Sequence, residues 1–137
     1  MSEAVQDHSA PALAAAGIRA VLGAHAQAQD DGRSADVVAL YTPDGVLEIP
    51  GLPPVEGHEA LRDAFLSWAP ARPQKHLVSN TVVTSLSGDE ASAASDVVFL
   101  QHSGSEWAVR LVARYDDSFR FRDGAWKIAR RTTSYLA

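Results

Sequence analysis

Apolar and polar positions change rhythm halfway along this chain, and the first half repeats as helix. From Pro11 alanines are dense, and Ile18, Val21, Leu22 and His25 recur at helical spacing, so one face is apolar and carries a histidine. Pro11 suits a first turn and alanine is the strongest helix former. Asp30-Asp31-Gly32 ends the helix, with Gly32 as a left-handed cap. Ser34 caps a predicted second helix, Ala35 to Tyr41, and Thr42-Pro43-Asp44-Gly45 reads as a turn. A short strand, Val46 to Ile49, follows and is broken by Pro50-Gly51-Leu52-Pro53-Pro54. Gly57 precedes a third helix, His58 to Trp68, with Leu61, Phe65 and Trp68 on one side and Pro70 and Pro73 to stop it.

The second half is β-rich. His76 to Thr84, Ala91 to His102, Trp107 to Arg120 and Ala125 to Thr133 are predicted strands. Ser87-Gly88-Asp89, Ser103-Gly104-Ser105 and Asp123-Gly124 are the turns between them, so the four form a meander. Helices first and strands afterwards is the pattern of an α+β domain, with about three N-terminal helices on one face of a largely antiparallel sheet. Long twisted strands curl, and helices over the concave side leave room for an apolar pocket. Met1 to Ala10 carry no periodicity and read as a loose terminus, leaving residues 11–137 as one domain.

Composition narrows the function classes. At 137 residues, with 46% hydrophobic and 21% charged positions, the chain is an ordinary globular one that can bury a core. It has no cysteine, which excludes a thiol nucleophile, disulfides and thiolate metal sites. A net charge of −5 argues against a nucleic-acid partner. Ala10 to Ile18 is too short to span a membrane, and Glu3 and Asp7 with no early lysine or arginine do not make a signal peptide. The expectation is a soluble, cytoplasmic protein. Between Glu106 and Ala137 lie seven basic residues (Arg110, Arg114, Arg120, Arg122, Lys127, Arg130 and Arg131) against four acids. Most belong on a solvated strand face with cross-strand ion pairs, though one inward arginine would meet a substrate oxygen. Arg114 and Arg130 are the candidates for the pocket mouth.

Several stretches in order carry a family resemblance. Asp30 to Gly45, Val55-Glu56-Gly57-His58-Glu59-Ala60-Leu61, His76-Leu77-Val78-Ser79-Asn80, and Ala113-Arg114-Tyr115-Asp116-Asp117 followed by Asp123-Gly124-Ala125-Trp126-Lys127-Ile128 together resemble SnoaL-like proteins over about Ile18 to Arg131. The resemblance implies the nuclear-transport-factor-2-like cone, a curved mixed or antiparallel sheet on helices enclosing an apolar pocket. It also implies a homodimer or trimer. Within that group the chain is most similar to scytalone dehydratase and bile-acid dehydratase, which use an aspartate–histidine pair. Asp30 stands at the aspartate and His76 at the histidine, and His102 falls at or beside a second histidine. The tyrosines that polarise the substrate carbonyl in those enzymes have no counterpart, since His25 and Ile49 stand near two of their positions.

The chemistry follows from these groups. Removing a hydroxyl beta to a carbonyl, or moving a double bond, needs a base for a carbon-bound proton and an acid for the leaving oxygen. Histidine serves both, with an unperturbed pKa of about 6.5, and a carboxylate on its far nitrogen fixes the tautomer. His76 and Asp30 are the expected catalytic pair, with Asp31 the alternative partner. Strand parity groups His76 with Val78, Asn80 and Val82 as an inward face, so Asn80 and His102 are candidate substrate-oxygen contacts. His25, Tyr41, Trp68 and Phe99 complete the candidate substrate-binding set. Each also has an ordinary reading: a helix-terminal aspartate in a turn, a histidine at a strand start, a satisfied helix-face histidine, core aromatics. His25, His76, His102 and Asp30 show no short metal-ligand spacing, and no nucleotide loop occurs. No cofactor or metal is expected, only a small apolar oxygenated substrate. Dehydration or isomerisation is the leading activity. Cyclisation or epoxide opening is the alternative, and a non-catalytic binding or assembly subunit the third.

Overall fold

The structure is a computed structural model and describes residues 7–136, so of the loose terminus expected for Met1 to Ala10, residues 1–6 lie outside the described residues. Residues 7–10 form a turn closed by the Ala10 N–H on the Asp7 carbonyl. There His8 stacks on Phe121 and hydrogen-bonds Asp89.

Three helices and six strands follow: α1 (Pro11–Asp30), α2 (Ser34–Val38), β1 (Tyr41–Glu48), β2 (Val55–Glu56), α3 (Gly57–Ser67), β3 (Gln74–Ser87), β4 (Glu90–His102), β5 (Trp107–Arg122) and β6 (Ala125–Tyr135). Helix α1 buries Ala14, Ile18, Val21, Leu22 and His25, the face its spacing predicts. It stops where Gly32 turns left-handed (φ 71°), a conformation cheap only without a Cβ. There the Arg33 N–H caps the Ala28 carbonyl. Helix α3 buries Leu61 and Phe65, one turn apart. Among the described residues no helix is long and apolar enough to cross a membrane.

The strands form one curved sheet in the order β2-β1-β6-β5-β4-β3. All neighbours are antiparallel except β1 and β6, which run parallel, so the sheet is mixed. The predicted meander is β3 to β6, and Asp123 and Gly124, both at positive φ, close its last hairpin. The main core joins Ile18, Leu61, Phe119 and Ile128, all within 1% of full burial. At ~1.5–3 kcal/mol for each large side chain withdrawn from water, such residues hold helices to sheet. A smaller cluster of Val97, Ala113 and Tyr115, with Leu111 beside it, meets the main core through Val78.

Three boundaries differ from expectation. The second helix stops at Val38, Tyr41 begins β1, and Ser34 makes no side-chain cap. The predicted turn Thr42 to Gly45 is absorbed into β1 as a bulge, where the register to β6 shifts between Tyr41 and Val46. The short strand β2 pairs with β1 although Pro50 to Pro54 interrupt the chain before it.

Candidate functional site

Asp30 is the last residue of α1, and β3 passes it at His76. Their side chains are 3% and 13% exposed. The His76 ring donates from Nδ1 to Asp30 Oδ1 at 2.6 Å, and the His76 main-chain N–H donates to Oδ2 at 2.7 Å. Gln74, two residues earlier on the same face, donates from Nε2 to Oδ1 at 3.1 Å. Burial pushes the Asp30 carboxyl up. The hydrogen bonds from the His76 ring and main chain, and from Gln74, outweigh it and hold the pKa below the usual 3.8. An ionised Asp30 accepting at Nδ1 leaves Nε2 of His76 as the exchangeable position. Asp31, the alternative partner, lies exposed and pairs with Arg33.

His76, Phe99 and Leu111 face each other across β3, β4 and β5. The His76 ring stacks on Phe99 with centroids 4.6 Å apart. With Val97, Ala113, Tyr115 and Thr133 they line a cavity of about 30 Å³. That is room for roughly one water molecule, so the apolar pocket at this pair is nearly filled by its own walls. Phe99, Leu111 and Thr133 are only half-buried and are the walls with freedom to move. A larger groove of about 570 Å³ lies between α1 and the β5–β6 hairpin, lined by Leu13, Val21, Leu40, Phe121 and Trp126. Neither His76 nor Asp30 borders it, so it carries none of this chemistry.

His25 and Tyr41 meet in the interior, with His25 Nε2 2.9 Å from the Tyr41 hydroxyl, but neither lines the cavity at His76. Burial, then the charge of Arg131, then His76, push the His25 pKa well below 6.5 and keep the ring neutral. Burial likewise raises the Tyr41 hydroxyl.

The inward arginine is Arg131, not either of the two expected. Arg114 reaches outward to Asp96, and Arg130 to Glu48. Arg131, 2% exposed, donates from Nε and Nη2 to the two Asp117 oxygens at 2.8 and 3.1 Å. Burial opposes its charge, but Asp117 and the neighbouring tyrosines restore it, so its pKa is raised. Its guanidinium lies 3.8 Å from the centroid of the Tyr115 ring.

Other expected contacts stand elsewhere. The register of β3 slips between Ser79 and Val82, and Asn80 takes φ 51° at the slip. Strict alternation fails there. Asn80 and Val82 turn outward, and Asn80 Nδ2 donates to Asp96 Oδ2 at 2.9 Å instead of facing the cavity. His102 ends β4, accepts the Gly104 N–H at Nδ1 (3.0 Å) and stands edge-on to Trp107, away from the cavity. Trp68 packs edge-on against Phe65 beside the core. Of the expected substrate contacts, Phe99 alone borders the cavity. Among the described residues no three His, Asp or Glu side chains gather as metal ligands. Gln74, Tyr115, Asp117 and Arg131 were not singled out from sequence. The signal for Tyr115 and Asp117 was the alternation of β5, in which Ala113, Tyr115, Asp117 and Phe119 are all buried.

The fold recurs in solved structures of low identity. An NTF2-like protein with a cystatin-like fold from Novosphingobium aromaticivorans superposes with a TM-score of 0.81 at 21% identity, over 89% of this chain and 81% of that one. A candidate scytalone dehydratase from the same organism gives 0.82 at 19% identity, over 92% and 86%. The beta subunit of a candidate aromatic-ring-hydroxylating dioxygenase, again from that organism, gives 0.79 at 23% identity, over 92% and 91%. The family model described as SnoaL-like domain matches residues 10–132. No curated protein matches the chain in sequence.

Proposed function

This chain belongs to the SnoaL-like domain family, and we propose that it is a cofactor-independent lyase or isomerase acting on a small, largely apolar oxygenated substrate such as a polyketide or steroid-like ring. The observation that carries the reading is the grip of Asp30 on both the ring and the main-chain nitrogen of His76, beside an apolar cavity. In this reaction His76 Nε2 takes the proton from the carbon next to a carbonyl. Electrons move to the carbonyl oxygen, then return to expel the beta hydroxyl, which leaves as water with the proton that Nε2 gives back. Asp30 holds the tautomer and stabilises the imidazolium throughout. The Novosphingobium candidate scytalone dehydratase, whose fold this chain shares, is consistent with that class. Cyclisation with the same pair would instead give a product of unchanged mass with a new ring, so product mass separates the two.

Asp30→Asn and His76→Ala each lower turnover of a ring hydroxy-ketone by roughly 10²–10⁴. Retained turnover in either variant sinks the mechanism. ¹⁵N NMR of the His76 ring provides a substrate-free check, because wild type holds Nδ1–H and Asp30→Asn releases it to a mixture.

One observation favours a second reading. The cavity beside His76 is about 30 Å³, as expected if the fold serves as a non-catalytic assembly subunit with a self-filled pocket. The dioxygenase beta subunit that shares the fold points the same way. That reading requires a stable hetero-complex on affinity purification and no ligand-induced shift at His76. Leu77, Val109 and Val112 are exposed apolar strand residues and support self-association as a homodimer or trimer, which sedimentation equilibrium measures directly.

A further inference from the structure

We propose that Tyr115 is the residue that hydrogen-bonds the substrate oxygen in the cavity beside His76, and that the buried Arg131–Asp117 pair exists to hold its ring there. The inference rests on that cavity being a ligand site.

Three observations support it. Tyr115 and His76 line the same cavity, whose remaining walls, apart from Thr133, are Val97, Phe99, Leu111 and Ala113. A carbonyl entering it would therefore find few groups able to donate to it. Among the described residues, no hydrogen bond is made to the Tyr115 hydroxyl. Trp126 Nε1 is nevertheless the sole fully enclosed side-chain nitrogen or oxygen there that lacks a partner. The hydroxyl therefore keeps accessible surface, and Tyr115 borders the cavity. A buried tyrosine that leaves its hydroxyl unpaired within the protein has a donor to offer.

The ring is also fixed with unusual care. Tyr115 sits between Ser95 and Thr133 in the sheet register. Arg131 lies 3.8 Å above its face, and Arg131 is itself clamped by two hydrogen bonds to Asp117. A buried ion pair is weak evidence for stability, which leaves its placement against the ring to explain. Stacking of a guanidinium on the π face restricts the ring to one plane, and a donor held still loses little entropy when it meets an acceptor. Burial, with the charges of Asp117 and Asp30, raises the Tyr115 pKa and keeps the group a donor at neutral pH, against the opposing effect of Arg131. The ligand class is then an apolar ring bearing one acceptor oxygen. Because the cavity as it stands has room for about one water, Phe99, Leu111 and Thr133 must move aside to admit it, and the oxygen then meets Tyr115 while a neighbouring carbon faces His76.

The test uses two probes of nearly equal shape, cyclohexanone and methylenecyclohexane, titrated into the whole protein and followed by amide shifts of His76 and Ala113. Tyr115→Phe keeps the ring over Arg131 and removes only the hydroxyl. The expected result is a roughly tenfold weaker affinity for the ketone in Tyr115→Phe, as for one lost hydrogen bond, with methylenecyclohexane unchanged. Equal ketone affinity in wild type and Tyr115→Phe overturns the role of Tyr115 and leaves the His76–Asp30 reading standing. If neither probe shifts His76 or Ala113 in wild type, the cavity takes no such ligand, and both readings fall. Should Tyr115→Phe fail to fold, nuclear Overhauser contacts between bound cyclohexanone and the Tyr115 ring protons in wild type decide the matter: their presence supports the proposal and their absence overturns it.

Discussion

A histidine kept neutral by its surroundings makes a protein sensitive to acid, and His25 offers a clean case. It is 2% exposed, and its ring nitrogen is engaged by the Tyr41 hydroxyl. Burial, Arg131 and His76 all disfavour its proton, so its folded pKa lies well below 6.5. In the unfolded chain it titrates normally. The unfolded state therefore binds more protons as pH drops, and the stability tied to neutral His25 is fully present above about pH 6.5 and lost below it. Each such pH unit removes ~1.4 kcal/mol, so falling from about pH 7 to about pH 5 removes roughly 2 kcal/mol while the folded ring stays neutral. That is a sizeable share of a stability of roughly 5–15 kcal/mol. His25→Gln retains a side-chain group for Tyr41 but cannot titrate. Urea unfolding of both proteins across that range, read by tryptophan fluorescence, gives two curves of stability against pH. The wild-type curve should fall about 2 kcal/mol further than the variant's. Parallel curves would refute the reasoning, because they would mean that folded His25 accepts a proton as easily as unfolded His25.

Asp30 acts in a lower window. Its folded pKa is depressed below 3.8, so the stability lead of wild type over Asp30→Asn should hold above that value and shrink as pH falls beneath it, as acid unfolding curves will show. Arg131→Met strands the Asp117 carboxylate and should cost about 3–5 kcal/mol, while Arg131→Met with Asp117→Leu should recover most of it in thermal melts. Two glycines of α1 should respond with opposite sign. A Cβ on Gly17 would lie 2.7 Å from Trp126 Cδ1, so Gly17→Ala destabilises by about 1–3 kcal/mol despite its better helix propensity. Gly23 has nothing within 4 Å, and Gly23→Ala should stabilise by the ~1 kcal/mol that propensity alone supplies, seen as a raised Tm.

What the sequence disclosed tracks how local each cause is. Helix α1 is legible because Pro11, the alanines, the apolar spacing and Gly32 all act within a few residues. The last hairpin is legible for the same reason, since Asp123-Gly124 specifies its turn. The parallel pairing of Tyr41 with Ile128 is not, because nothing near either residue encodes the other. The sequence hides the first half of β1 because Thr42-Pro43-Asp44-Gly45 is turn chemistry that the neighbouring strand converts to a bulge. Asn80 escapes strict alternation by the same cause in β3, where one irregularity inverts the positions from Thr81 to Val83 and a second, between Val83 and Ser85, returns Leu86 to the inner face. The contact of Asp30 with His76 came from the family resemblance, and helix periodicity alone would have left Asp30 as a capping residue in a turn. Tyr115 and Asp117 were readable from the alternation around Ala113 and Phe119, but Asp117 looks like a surface charge until Arg131 is seen beside it.

The position of β6 bears on how the chain folds. Although last of the described strands in sequence, it lies between β1 and β5. Until it docks, the unit of β1, β2 and α3 shares no backbone ladder with the β3–β5 meander, and two unsaturated strand edges face the gap. Closing it joins residues as distant as Tyr41 and Ile128 and draws Arg131 onto Asp117 in the same movement. Such long-range closure is slow, and a chain in which β6 has not yet docked offers those edges for intermolecular pairing. Substitutions in β6 should therefore depress the yield of folded protein before they touch any ligand, and refolding from dilute solution should rescue part of that loss.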